Sequence, residues 1–369
     1  MDLNKLDNEI RHICQTGIES KDEGIKLCDS LLNEYEEDTA KGIITYYKAL
    51  IYEKHNDINN ALKYYEESVK LGLAIDSLDR IYTIYQKENN LVFALETIDK
   101  MISLEPEVFY GYDLKFNFLF SLKVFEEAEK VLTLTEELFE KSSIITLNRV
   151  RINSALGRLS ESLEIINFEK DNEEIRDDLL IEKAKILAMK GELEEAAVII
   201  KDVQAKYSDN VEIIYLLGTV YMMSGRMEEA KDTLELLVNM EYKEDLNYLT
   251  GLYYYGVVLK NFKDKEEVKK YFNWLKRKYS IFTLNNPKDL NVKIFNSIIH
   301  YELENYNEAL RVIKTLDEVS REIPEVYFIK ALIYKGSCDI DRYERTKNIL
   351  KERYIMYFKI LESIDKLEG

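Results

Sequence analysis

A small residue recurs along this chain every 33 or 34 positions, each time with apolar residues four or seven places later. The marks are Ala61 with Tyr65, Ala94 with Ile98 and Met101, Ala128 with Leu132, Ala196 with Ile200 and Val203, and Ala230 with Leu234 and Leu237. The 68 residues between Ala128 and Ala196 are two more steps, with Ser162 standing midway. Offsets of four and seven put these side chains on one face of a helix. A fixed period of this length describes short units that cannot bury their apolar faces alone and do so by stacking. Chains built that way have no single globular core to fill.

Composition agrees. Only 13 Gly and 3 Pro occur in 369 residues, too few to punctuate a many-stranded sheet or an α/β fold. The 46% hydrophobic content buries a core and excludes disorder as the general state. Helices with short connections remain.

The best copy is VEIIYLLGTVYMMSGRMEEAKDTLELLVNM, in which Gly225 stands five residues before Ala230, Tyr221 nine, Gly218 twelve and Leu217 thirteen. This pattern resembles the tetratricopeptide repeat (TPR), a helix–turn–helix unit of 34 residues. In it Gly218 admits a close neighbour, Tyr221 fills the adjoining space and Gly225 takes the turn where φ is positive. Ala230 lets the second helix cross the first, and Leu234 and Leu237 continue the buried stripe. Gly157 and Gly191 repeat the turn glycine, and Tyr52, Tyr85 and Tyr334 the aromatic place. Pro106, twelve after Ala94, matches the proline between units. Ala49 and Ala184 keep the close-packing place small, whereas Tyr82 and Phe116 fill it in two units and put close packing there in doubt. Gly24, Val268, Ala309 and Tyr343 extend the register outward at looser intervals.

The resemblance implies an all-α fold, a right-handed α-α superhelix of nine to ten repeats. The expected organisation is one continuous solenoid: a degenerate helical pair over residues 1–41, the repeat array over 42–282, and divergent repeats with a capping helix over 283–369. The stretch Thr283–Asp289 (TLNNPKD) is the expected place for a bend, or simply a longer loop. The segment from Tyr354 to Gly369, with Ile355, Phe358, Ile360, Leu361 and Ile364, reads as an amphipathic cap over the last unit, with docking to a membrane or partner helix as the alternative.

The family resemblance also implies a concave wall made from one face of each first helix. Residues 18, 15 and 11 before each mark share that face. They include Ile43, Tyr46 and Leu50; Asp76, Asp79 and Thr83; Tyr110, Asp113 and Asn117; Ile144, Leu147 and Arg151; Asp178, Ile181 and Lys185; Glu212, Tyr215 and Thr219; and Thr250, Tyr253 and Val257. The candidate partner-binding residues are Tyr46, Asp79, Tyr110, Asp113, Asn117, Arg151, Lys185, Tyr215 and Tyr253. TPR clamps that hold a chaperone's C-terminal carboxylate use Lys and Asn at neighbouring places. Here Tyr46, Asp79, Asp113 and Leu147 stand there, so a carboxylate would meet like charge. Arg151 and Lys185 remain a possible catch for one acidic group, or pair with Asp178 and Glu182 within the wall. The expected partner is a protein or peptide, basic with apolar anchors.

Charge and chemistry narrow the function classes. The chain carries 51 basic and 69 acidic residues, net −18. Residues 1–250 hold 29 basic and 51 acidic side chains, and residues 251–369 hold 22 and 18. That sign disfavours nucleic acid and anionic membrane. The basic run from Lys263 to Lys278, interleaved with Tyr271, Phe272 and Trp274, is expected to be the outer face of a second helix, balancing the acidic part or meeting an acidic partner. The start MDLNKLDNEI lacks a signal-peptide pattern and no run of about 18 apolar residues occurs, so a cytoplasmic location is expected. Cys14, Cys28 and Cys338 form no CxxC, and His12, His55 and His300 no metal-ligand spacing. No Gly-rich phosphate loop or GxSxG elbow appears. A non-enzymatic scaffold without cofactor or metal is the expectation. The alternative is a peptide-sensing regulatory receptor without a DNA-binding domain, since residues 1–40 read as one more degenerate repeat.

Overall fold

A computed structural model describes residues 3–243, 245–285, 290–316, 323–354, 357–358 and 361–362. Asn286–Asp289 of the expected bend, and Ile355, Ile360 and Ile364 of the expected cap, lie outside these. Twenty helices and no strand occur among the described residues, and they follow one another as helical hairpins. Two compact units divide the chain, Met1–Ile165 and Ile166–Gly369.

Unit 1 contains α1 (Leu3–Glu19) with α2 (Lys21–Glu34), α3 (Asp38–Lys54) with α4 (Ile58–Lys70), α5 (Ala74–Lys87) with α6 (Leu91–Leu104), α7 (Phe109–Ser121) with α8 (Phe125–Leu138), and α9 (Ser143–Ala155) with most of α10 (Leu159–Phe168). Unit 2 contains α11 (Arg176–Lys190) with α12 (Leu193–Gln204), α13 (Val211–Met223) with α14 (Met227–Val238), α15 (Leu246–Leu259) with α16 (Lys265–Asn285), α17 (Leu290–Glu302) with α18 (Tyr306–Lys314), and α19 (Pro324–Gly336) with α20 (Ile340–Arg353). Odd-numbered helices are the first of each pair.

The period has a backbone counterpart. The residue five before each mark has positive φ at Asn56, Asn89, Lys123, Gly157, Gly191, Gly225, Glu304 and Cys338. At each, the next amide donates to the carbonyl five residues back: Asp57 to Tyr52 at 2.9 Å, Arg226 to Tyr221 at 2.9 Å, Asp339 to Tyr334 at 2.9 Å. This left-handed cap closes the first helix and aims the chain into the second. Only three of the eight positions are glycine, so the turn is set by the hairpin as a whole and tolerated by ordinary residues. The α15–α16 connection departs from this scheme: no positive φ is found there, and Asp264 Oδ1 accepts from the Glu267 amide at 2.9 Å to start α16.

Each mark sits where the paired helices cross. Ala61, Ala94, Ala128, Ser162, Ala196, Ala230 and Ala309 have no exposed surface. One turn on, Tyr65, Ile98, Leu132, Ile166, Ile200, Leu234, Phe272 and Ile313 are also buried. Burying an apolar side chain of this size stabilises by about 1.5–3 kcal/mol, and the row supplies that once per repeat. A Cβ on Gly218 would lie 2.4 Å from Leu234 Cγ, so the close approach expected there is real. Tyr82 and Phe116, the large residues in the same place, are buried as well. Tyr82 meets Phe118 edge to face, with ring centroids 5.9 Å apart, so these units fill the space with rings.

Of the expected cap, Leu361 is buried, and Tyr354 and Tyr357 pack on Tyr327 and Phe328 of α19 at ring distances of 5.8 Å. The Tyr357 hydroxyl donates to Glu325 Oε1 at 2.8 Å.

Candidate functional site, the first-helix walls

In unit 1 the wall is built by α3, α5, α7 and α9. Asn117, Asp76 and Ile144 are exposed, Tyr110 is 40% exposed, and Tyr46, Asp79, Asp113, Leu147 and Arg151 are half-buried. Two predicted site residues meet directly: the Tyr110 hydroxyl donates to Asp79 Oδ1 across two successive first helices. Asp113 accepts from Asn148 Nδ2 of α9 at 2.9 Å, again one repeat along. Asn117 turns its amide back to the Asp113 carbonyl of its own helix, at 2.9 Å. Tyr46 lies against Tyr47 and Tyr65, with centroids 5.4 and 5.6 Å away.

The electrostatics of this wall follow from those contacts. Burial raises the Tyr110 and Tyr46 phenols above their ordinary value, and Asp79 adds to the rise at Tyr110. Both stay protonated donors at neutral pH. Tyr110 and Asn148 are neutral, so they steady the Asp79 and Asp113 carboxylates without cancelling their charge. Arg80, on the same helix as Asp76 and Asp79, is engaged elsewhere: its Nε donates to Glu53 Oε2 at 3.2 Å, beside the Tyr65 hydroxyl at 2.7 Å from the same oxygen.

In unit 2, α11, α13 and α15 carry the corresponding places. Lys185 Nζ lies 3.0 Å from Glu182 Oε1 and 3.0 Å from Glu212 Oε1. Burial works to lower this ammonium, and the two carboxylates outweigh it, so its pKa lies above the ordinary value. Lys185 thus pairs within the wall, the second of its two expected roles. Tyr215 and Tyr253 are joined through a residue outside the predicted set, Tyr254, with centroids 5.8 and 5.3 Å from it. Burial pushes the Tyr215 phenol up to about 12. The Tyr253 hydroxyl donates to Glu302 Oε1 at 3.3 Å, and that carboxylate also takes Lys260 Nζ at 2.5 Å. Tyr253 is a packed residue of this wall more than a free recognition tip. Met189 and Met223, one period apart, are 62% and 59% exposed on the same two first helices as Lys185 and Tyr215.

The residues missed by the spacing argument share one position. Arg80, Asn148, Glu182 and Tyr254 each stand fourteen before a mark, and each braces one repeat to another or closes a charge on the wall. The same column holds Leu114, Leu216 and Ile329 in other units, so residue type alone does not mark it.

Among the described residues no group of three His, Cys, Asp or Glu is placed to hold a metal ion, and no helix is long and apolar enough to cross a membrane. Burial pushes the Cys28 thiol up to about 12, away from thiolate chemistry.

A family model described as tetratricopeptide repeat matches residues 177–251, the stretch that holds α11 to α15. The chain carries tetratricopeptide repeats. Among solved structures, the TPR chain resembles one from the Cut9–Hcn1 hetero-tetramer of the APC/C, with a TM-score of 0.51 and 15% identity over 94% of this chain and 68% of that one. A tetratricopeptide repeat protein of Parabacteroides merdae aligns with 78% of this chain and 98% of its own, at 14% identity and a TM-score of 0.43. A thermophilic TPR protein of Thermus thermophilus aligns with 52% and 99%, at 15% identity and 0.44. The Cut9–Hcn1 likeness supports the all-α repeat fold and nothing finer. No curated protein matches the chain by sequence.

Proposed function

We propose that this TPR protein is a non-enzymatic scaffold whose first-helix wall in unit 1 takes a basic protein segment with apolar anchors. The observation that carries the reading is the state of the wall carboxylates. Asp76 is exposed, and Asp79 and Asp113 are held by neutral donors from the neighbouring repeat. Negative charge is therefore fixed in position and left for a ligand cation to neutralise. Exposed Ile144 and half-buried Leu147 supply apolar ground on the same wall.

The test uses a fluorescent peptide carrying arginines and leucines, with a glutamate-for-arginine peptide as control. Replacing Asp76, Asp79 and Asp113 by Asn together keeps shape and removes charge. Binding of the arginine peptide is expected to weaken by about tenfold or more at low salt, with helicity unchanged. Equal affinity for the wild-type and Asn-substituted walls overturns the reading.

A further inference from the structure

Second helices in this chain run 9–14 residues, except α16, which has 21. Its buried stripe is Val268, Phe272, Leu275, Tyr279 and Phe282. The opposite face carries Glu266, Lys270, Asn273, Arg277, Ile281 and Leu284, spaced three or four apart along one line. Lys270 and Arg277 are exposed and have no ion-pair partner among the described residues. Ile281 and Leu284 are 50% and 80% exposed. After Glu266 the face runs through these two cations into two bare apolar residues, on a chain of net charge −18.

The same chain carries the counterpart. On α8 the buried residues are Ala128, Leu132 and Thr135, and the outer face holds Glu126, Lys130, Leu134 and Glu137, with Leu138 beside them; Lys130 pairs with Glu127 of the same helix at 2.6 Å. Leu134 and Leu138 are 45% and 53% exposed. Glu137 follows Leu134 by three residues, and Arg277 precedes Ile281 by four. An antiparallel crossing that sets Leu134 on Ile281 therefore brings Glu137 beside Arg277, with Leu138 along the arginine's stem.

We propose that α16 of one copy docks on α8 of a second copy, so that the chain associates head to tail. The contact joins two different surfaces, so copies assemble head to tail, as a closed ring or an open chain, as concentration rises. One helix crossing is a small interface, so the association is weak and reversible, and its charges make it salt-sensitive. The inference stands apart from the first-helix walls, which lie on other helices.

Sedimentation velocity of the purified full chain across about 1–100 µM at low salt is the experiment, because small interfaces are populated in that range. Mass is expected to rise with concentration and to fall back as salt is added. Arg277→Glu, or Ile281→Ser with Leu284→Ser, should lower the association constant by about tenfold or more. Glu137→Lys should do the same, and the double variant Arg277→Glu with Glu137→Lys should restore association by reversing both sides. All these sites are exposed, and circular dichroism confirms that each variant keeps its helix content. A wild-type chain that stays monomeric throughout overturns the proposal. So does association indifferent to Arg277→Glu, failure of the double variant to recover, or a monomer whose α16 face serves only phosphatidylserine vesicles.

Discussion

The eight turns with positive φ make a quantitative prediction about glycine. At Gly157, Gly191 and Gly225 an added Cβ would meet nothing within 4 Å, so Ala at these sites costs backbone conformation alone. Gly225 has φ +77, in a region that costs an L-residue about 1–2 kcal/mol. Gly225→Ala should therefore destabilise its hairpin by about 1 kcal/mol, after the smaller unfolded-state entropy of Ala offsets part of the strain. The reverse substitution is available at Cys338, an exposed free thiol with φ +58. Cys338→Gly relieves the strain and should stabilise the α19–α20 hairpin by about 0.5–1 kcal/mol, net of the entropy glycine adds to the unfolded chain. Global unfolding of a repeat chain need not be two-state, so the assay is amide exchange at the turn itself. In Gly225→Ala the Arg226 amide, bonded to the Tyr221 carbonyl at 2.9 Å, should exchange several-fold faster. In Cys338→Gly the Asp339 amide, bonded to the Tyr334 carbonyl, should exchange more slowly by a similar factor. If both substitutions leave their amides unchanged, the turns are not held in the left-handed region and the argument fails.

Other perturbations act on packing, bracing and pH. Gly218→Val drives a side chain into Leu234 and should cost about 1–3 kcal/mol by urea denaturation monitored at the helix band. Glu53→Gln weakens the shared anchor of Tyr65 and Arg80 between the second and third hairpins and should cost about 1.5–3 kcal/mol in the same assay. His300 is buried with Nδ1 unpartnered, and burial lowers its pKa. Lys276 and Arg311 add to that fall, and Glu308 opposes it. The folded pKa thus lies below the unfolded one, so His300 contributes stability above the ordinary histidine range that is lost as pH falls through the folded value. Replacing it by Phe, in the place other repeats fill with an aromatic, should flatten the acid limb of the stability profile below about pH 6.5.

The fold was legible because its determinants repeat. Ala61, Ala94, Ala128, Ala196 and Ala230 are small since two helices cross there, and crossing is what burial at those sites records. The turn was half legible. Gly157, Gly191 and Gly225 advertise positive φ, whereas Lys123, Glu304 and Cys338 adopt it without a compositional sign. A strain of about 1–2 kcal/mol is small against the apolar burial each hairpin gains, so sequence is free to vary there. The length of α16 was also hidden: its stripe of Val268, Phe272, Leu275, Tyr279 and Phe282 continues past the expected unit, with no helix stop before Asn285.

The walls were legible as places and not as interactions. Spacing put Asp79, Tyr110, Asp113, Lys185 and Tyr215 on one face of their helices, because a helix face is a local property. What each side chain does there depends on the column fourteen before the mark, which reaches back to the preceding repeat at Arg80, Asn148 and Tyr254 and along its own helix at Glu182. Asn148 decides that Asp113 is bound yet still charged, and Glu182 decides that Lys185 is spent within the wall. One period thus carries two messages. Positions 18, 15 and 11 before the mark form the proposed partner face, and position 14 bears on how much of its chemistry the scaffold has already used. In unit 1 the column supplies neutral Asn148 and an Arg80 already held by Glu53, which leaves the carboxylates of α5 and α7 as anions. In unit 2 it supplies Glu182 and the Tyr254 ring, which neutralise and cover. On the proposed reading a cationic segment would be drawn to the first unit's wall, while the second carries Met189, Met223 and packed tyrosines, a surface suited to apolar contact.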